Sequence, residues 1–317
     1  MFNPNSFRIQ FLLQLFLVFS IYAETIKIGE DEFQLEPFVQ EMETETNGSM
    51  TLTDNDFVIC KGKNFSGDPP SSRGSFEFEG KKITSLPDFN NELVSLLNSD
   101  SPDRLNRAYE MAKAGYEFDP VFFPIVYNYG RIESIRKDFK NAEKIFLKAN
   151  ALMKKYYRTM IHLGLVQDRL GKFQESVQNL QLAAKENPFS DEARLYLCEI
   201  YAKTGHPRSY HRFPKLSYPF QRKVNESICE GMIEYYKRNF PKAYKVFRRI
   251  QIPNSDKPFQ YSAKLHLLFA ESALEVFDLK TAVQEWSKVL EFPFDSVFFD
   301  TSEFTLRRKI KTYTEIK

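Results

Sequence analysis

Residues 123–156 read FPIVYNYGRIESIRKDFKNAEKIFLKANALMKKY, and residues 157–190 continue YRTMIHLGLVQDRLGKFQESVQNLQLAAKENPFS. Set one above the other, Gly130 falls on Gly164, Phe139 on Phe173, Ala142 on Ser176, Phe146 on Leu180 and Ala149 on Ala183, a period of 34. Each pair keeps residue size and polarity. A period of this length means one helix–turn–helix unit per repeat, stacked so that neighbours bury each other's apolar faces. Carried backwards, the frame gives 89–122, where Ala108, Gly115 and Pro120 take the slots of Ser176, Ala183 and Pro188.

These residues resemble tetratricopeptide (TPR) repeats. That family pairs a large apolar residue with a small one in its first helix, here Tyr129-Gly130 and Leu163-Gly164. It follows with Ala, an aromatic, Ala and a closing Pro, slots filled by Ala142, Phe146, Ala149 and, in the next unit, Pro188. The small residues have a physical task, since only a minimal side chain lets two helices cross so closely. The fold class expected is therefore a mainly all-α, TPR-like solenoid of about five repeats, one of them broken.

Downstream, Leu197-Cys198, Tyr201 and Gly205 continue the phase, but Pro207, Pro214 and Pro219 stand where a second helix should run. Proline costs about 3 kcal/mol inside a helix, so 206–220 reads as a loop or short broken helix. Gly231, Phe240, Ala243 and Phe247 restore the pattern at 224–257, and Ala270, Ala282 and Trp286 mark a further unit at 263–296. Pro253 to Pro258 reads as a five-residue insertion. Thr301 to Thr314 suits a capping helix with Arg307, Arg308, Lys309 and Lys311 exposed.

The preceding residues differ in kind. Residues 1–23 combine Arg8, the apolar run 9–22 and Ala23, the pattern of an export signal. The run falls short of the roughly 18 apolar residues of a membrane span and includes Gln10 and Gln14, so cleavage is expected over retention as an anchor. Residues 24–88 alternate β-rich runs (Thr25 to Ile28, Ser49 to Cys60, Ser75 to Leu86) with loops at 41–48 and 66–74. The expected organisation is a signal at 1–23, an acidic β-containing or partly disordered region at 24–88, a repeat domain at 89–299 and a basic cap at 300–317.

Charge is unevenly distributed. Residues 24–59 hold ten acidic residues and one Lys, while 203–249 hold twelve Lys/Arg and three Glu. Solvated faces account for such asymmetry most simply; an intramolecular contact or an acidic partner is the alternative. Three cysteines (Cys60, Cys198, Cys229) are too few for a disulfide framework, and Cys198 and Cys229 read as small buried thiols. Helix axes about 8–10 Å apart disfavour a bridge between them unless their side chains converge.

Catalysis finds no support in the residue pattern. His206 and His211 lie five apart in a basic Pro-rich loop with no carboxylate or Cys to complete a metal site. His162 and His266 read as surface or groove residues. Asp54-Asn55-Asp56 lacks the Gly and distal Glu of a calcium loop. Cys229 has no legible base, and no glycine-rich phosphate loop occurs. No cofactor or metal is expected.

In the TPR family, first helices line a concave groove that receives peptides or partner helices. Carried over slot by slot, the resemblance implies Tyr127, Asn128 and Arg131, then His162, Leu165 and Arg169, then Tyr196 and Glu199 as partner-binding residues. Members that clamp a terminal carboxylate do so with Lys, Asn and Arg. Those slots hold Tyr127, Arg131, His162, Glu192 and Tyr196 here, so that clamp is not expected. The function implied is a non-catalytic interaction scaffold of the periplasm or cell envelope, with a bacterial source assumed and secretion as the alternative location. Two other roles stand beside it: an accessory subunit recruiting substrate to an envelope enzyme, and a peripheral anchor using the basic face 203–249 on an anionic surface. Export makes nucleic acid a poor partner. Three Asn-X-Ser sequons (Asn47, Asn64, Asn225) matter if the secretory path is eukaryotic.

Overall fold

The computed structural model describes residues 24–28, 31–35, 42–43, 49–53, 56–61, 74–99, 101–187, 192–205, 219–251, 260–292, 299 and 301–315. The signal at 1–23, the histidines 206 and 211 and the insertion 253–258 lie outside them. Among the described residues no helix is long and apolar enough to cross a membrane.

Helices pair in sequence. The first pair is α1 (Leu86–Leu97) and α2 (Arg104–Phe118), the second α3 (Phe123–Ile135) and α4 (Phe139–Leu152), the third α5 (Tyr157–Arg169) and α6 (Phe173–Glu186). After α7 (Glu192–Thr204) come α8 (Pro219–Tyr236) with α9 (Phe240–Arg249), then α10 (Gln260–Glu275) with α11 (Leu279–Val289), and α12 (Glu303–Glu315) as a cap. The architecture is a TPR-like solenoid.

One packing rule recurs in the pairs that follow α1–α2. A Cβ added at Gly130 would stand 2.9 Å from Phe146, one at Gly164 2.7 Å from Leu180, and one at Gly231 2.6 Å from Phe247. In every case the partner lies 16 residues on. Ala270 and Trp286 keep the same separation in the last pair, and both are buried. Between the paired helices the chain turns through one left-handed residue: Lys137, Gly171, Arg238 or Phe277. The next residue's N–H then donates back across the turn, as from Asp138 to the Glu133 carbonyl and from Lys172 to that of Gln167. This closes the helix end in the manner of a Schellman cap.

Short strands occupy the N-terminal region. β1 (Glu24–Ile28) and β2 (Asp31–Leu35) form a hairpin, and β1 also pairs antiparallel with β8 (Ile250–Gln251), Lys27 opposite Gln251. The β8 strand was not foreseen. It joins β1, with one Glu and one Lys, to the residues directly after the basic stretch through backbone pairing. β3 (Met42–Glu43) falls within the loop expected at 41–48 and pairs with β4 (Ser49–Leu52), which pairs with β5 (Val58–Lys61). β6 (Phe76–Phe78) and β7 (Lys81–Ile83) form a hairpin around Glu79 and Gly80, both at positive φ.

Two further expectations need correction. Cys198 and Cys229 form a disulfide with a Cα–Cα distance of 5.9 Å, within the range a bridge requires. α7 packs directly on α8, so the two side chains converge. Lys309 is half-buried rather than exposed: its ammonium donates to Glu271 at 2.7 Å and lies 5.1 Å from the Trp286 ring centroid.

Candidate functional site

The concave face of α1, α3 and α5 meets residues 56–60 of the same chain. Between β4 and β5 the chain reverses at Thr53, whose carbonyl accepts from the Asp56 N–H at 2.9 Å and whose N–H donates to the Phe57 carbonyl at 2.8 Å. Asp56 takes a positive φ of 62°, a conformation Asp tolerates better than most residues. The turn thereby aims its carboxylate into the groove.

Two helices receive it, and a third braces the receiving arginine. Arg158 and His162 stand four apart on α5 and so share a face. The Arg158 Nε donates to Asp56 at 2.9 Å, a second guanidinium nitrogen reaches the other carboxylate oxygen, and a third binds Glu192 at the start of α7. The His162 Nε2 lies 2.5 Å from Asp56, and the Tyr127 hydroxyl 3.5 Å. From α3 the Arg131 Nε donates to the Asp56 carbonyl at 3.2 Å, while its guanidinium lies 5.2 Å from the Phe57 ring centroid. Asp56, Arg158, His162 and Glu192 are all buried.

Burial alone pushes a carboxyl up, but at Asp56 the charge of Arg158, then the hydrogen bond from His162 and the charge of Arg131, outweighs it and holds the group far below its usual value. For His162 burial, reinforced by Arg131, outweighs the attraction of Asp56 and lowers the imidazole to about 4. The ring is therefore neutral near pH 7. Glu192 goes the other way, raised chiefly by burial against the pull of Arg158. Arg158 thus lies between the Asp56 and Glu192 carboxyl groups, with a neutral imidazole against Asp56 and the Arg131 guanidinium on its backbone carbonyl.

Side-chain amides hold the backbone that follows. Asn128 accepts from the Val58 N–H and donates to the Val58 carbonyl, both at 2.8 Å. Asn91 does the same for Cys60 at 2.8 and 2.9 Å. Asn90 adds a bond to the Val58 carbonyl at 2.9 Å and accepts from Asn128 at 2.7 Å. An edge strand exposes such N–H and C=O groups on alternate residues, and two asparagines take up the edge of β5.

The eight groove residues of the sequence reading thus separate. Tyr127, Asn128, Arg131 and His162 converge on Asp56–Val58. Leu165 is buried and Arg169 half-buried further along α5. Tyr196 packs edge-on against Tyr261 with ring centroids 4.9 Å apart. Glu199 binds Lys264 at 2.7 Å and Lys203 at 3.2 Å and accepts from the Tyr236 hydroxyl at 2.7 Å. Burial opposes its ionisation, but Lys264 and Lys203 prevail and hold it at about 2.

His162 and His266 are not surface residues; both are buried, and the latter lies 2.6 Å from Glu285. A carboxylate is clamped after all, by Arg158 and His162 rather than by the family's Lys–Asn set. Sequence reasoning passed over Arg158, Asn90 and Asn91, and took Asp56 only as an incomplete calcium loop. Arg158 was legible as the residue one turn before His162 on the same face.

Burial and Asp88 push the Cys60 thiol up to about 12, a poor nucleophile. Among the described residues, no group of three or more His, Cys, Asp or Glu side chains could hold a metal ion.

No protein-family model and no curated protein matches the chain. Among solved structures, it is similar to a tetratricopeptide repeat protein from Parabacteroides merdae at 12% identity, covering 72% of this chain and 99% of that one with a TM-score of 0.41. It is also similar to PilF of Pseudomonas aeruginosa at 14% identity, covering 73% and 97% with a TM-score of 0.41. YrrB, described as a TPR protein with an unusual peptide-binding site, shares 15% identity over 71% of this chain and 90% of that one, with a TM-score of 0.34. The assignment of the fold rests on the chain's own helix pairs and the 16-residue packing of a small residue on a large apolar one within them.

Proposed function

We propose that this chain is a non-catalytic protein–protein interaction scaffold, exported to a periplasm or cell envelope, whose groove recognises an extended acidic segment of a partner. One observation carries the reading: Asn128 engages both backbone groups of Val58 while Arg158 and His162 engage Asp56. Backbone capture by amides gives affinity without regard to sequence, and a buried carboxylate anchor adds selectivity. The Cys198–Cys229 bridge and the apolar run 9–22 support an oxidising compartment.

A second reading, the peripheral anchor, draws on α9, where Lys242, Lys245, Arg248 and Arg249 are exposed on one short helix. Binding of that kind to anionic vesicles is abolished by high salt, because exposed charges are screened within about 8 Å at physiological ionic strength.

The test is affinity capture from the exported fraction with the full chain and its Asn128→Ala variant. A partner retained by the wild type and lost with the variant supports the groove. An identical set of retained proteins sinks it.

A further inference from the structure

We propose that Asp56–Cys60 is a resident ligand of the groove, and that the partner displaces it with a segment of the same chemistry: an Asp at a turn, then an aromatic residue, then a β-branched residue entering an extended strand. This deepens the preceding reading and rests on it.

The holding groups are those of a receptor. Asn128 and Asn91 read only main chain, so any extended segment satisfies them. Selectivity lies at Asp56, whose carboxylate meets Arg158 and His162, and at Phe57, whose ring faces the Arg131 guanidinium. The positive φ at Asp56 favours Asp or Asn there, and of the two only Asp carries the charge that Arg158 meets. Glu is disfavoured, because its extra methylene has no room in a buried site.

The hairpin that presents these residues cannot order itself alone. Strands β3, β4 and β5 contain two, four and four residues, and so small a meander is marginal in water without a surface to pack on. Release of the strand therefore requires Asp56 to leave Arg158 and the Asn128 and Asn91 bonds to pass to the incoming segment together. The resident segment is tethered, which gives it an effective concentration of about 1 mM. Against a free peptide of intrinsic Kd about 10 μM, such a tether weakens apparent binding about 100-fold. The groove is thus closed to weak ligands and open to a partner with additional contacts.

A fluorescent peptide spanning Ser49–Lys61 is titrated against the full chain and its Asp56→Asn variant, with anisotropy as the readout and circular dichroism confirming the fold. A peptide carrying Asp56→Asn is expected to bind at least about 10-fold more weakly than the parent peptide, the loss of one charge-assisted anchor. The tethered segment of the variant loses the same factor, so the variant is expected to bind the parent peptide at least about 10-fold more tightly than the wild type. Equal peptide affinity for variant and wild type, or for the two peptides, overturns the proposal. If the variant does not fold, a wild-type chain carrying a protease site within 62–73 is cut while folded. A second protease site within 36–41 separates the strand from β1, which β8 holds. Replacement of the excised 42–61 segment by excess labelled peptide supports the proposal, and its retention in a folded protein overturns it. Peptide exchange without an Asn128-dependent partner refutes the scaffold role alone. A captured partner without peptide exchange refutes the resident ligand alone.

Discussion

Replacing Arg158 with Ala removes a cation that touches both Asp56 and Glu192. Their side chains are only 2% and 6% exposed, so water cannot take over the lost bonds. Removing one partner from a buried ionic group costs about 3–5 kcal/mol, because the other charges stay behind uncompensated. The loss is expected at pH 7 as a lower urea midpoint at similar m-value. The sign of its pH dependence follows from the carboxylates. In the wild type Asp56 titrates well below its ordinary value, so its stabilisation is present above about pH 4 and lost on acidification. Without Arg158, burial dominates and raises Asp56, and it raises Glu192 further; both then favour the folded state when protonated. The difference between variant and wild type must therefore shrink from pH 8 to pH 4.5. A deficit below about 1 kcal/mol, typical of an exposed pair, refutes the reasoning. So does a deficit independent of pH.

Three further outcomes are expected. Cys198→Ser opens a bridge spanning 31 residues, which should lower stability by about 4 kcal/mol on chain-entropy grounds, read by thermal melting with and without reductant. Gly231→Ala drives a methyl against the Phe247 ring at 2.6 Å; an overpacking cost of about 1–3 kcal/mol against a helix gain of about 1 kcal/mol leaves a net loss near 1 kcal/mol in chemical denaturation. His162, lowered to about 4 from an ordinary 6.5, makes the unfolded chain bind more protons, so stability should fall as pH drops from about 6.5 towards 4, by at most about 3 kcal/mol, and His162→Gln should flatten that slope.

The repeat was legible because its physics is local and periodic. Gly130 and Gly164 must be small to admit Phe146 and Leu180, and each repeat restates the requirement. The prolines at 207, 214 and 219 were equally plain in the sequence, but 206–218 lie outside the described residues. Pro219 and Phe220, expected in a loop, begin α8, where a proline lacks only a donor that the first turn leaves unused. The filled groove was not legible. Asp56 meets Arg158 across 102 residues and Val58 meets Asn128 across 70, and no spacing rule spans such separations. What the residues did show was composition: an acidic N-terminal stretch, and polar groups at Asn128, Arg131 and His162 on helix faces that must bury something. Buried polar side chains need partners. The disulfide escaped for a related reason, because the distance between Cys198 and Cys229 depends on how α7 seats on α8.

The central claim, that the groove holds the chain's own strand, is tested most directly at one amide. The Val58 N–H donates to Asn128, and its hydrogen exchange can be followed in the wild type and in Asn128→Ala. The account predicts strong protection in the wild type, lost in the variant while the amides of α3 and α4 stay protected. Val58 exchanging in the wild type at the rate of an unprotected amide contradicts it.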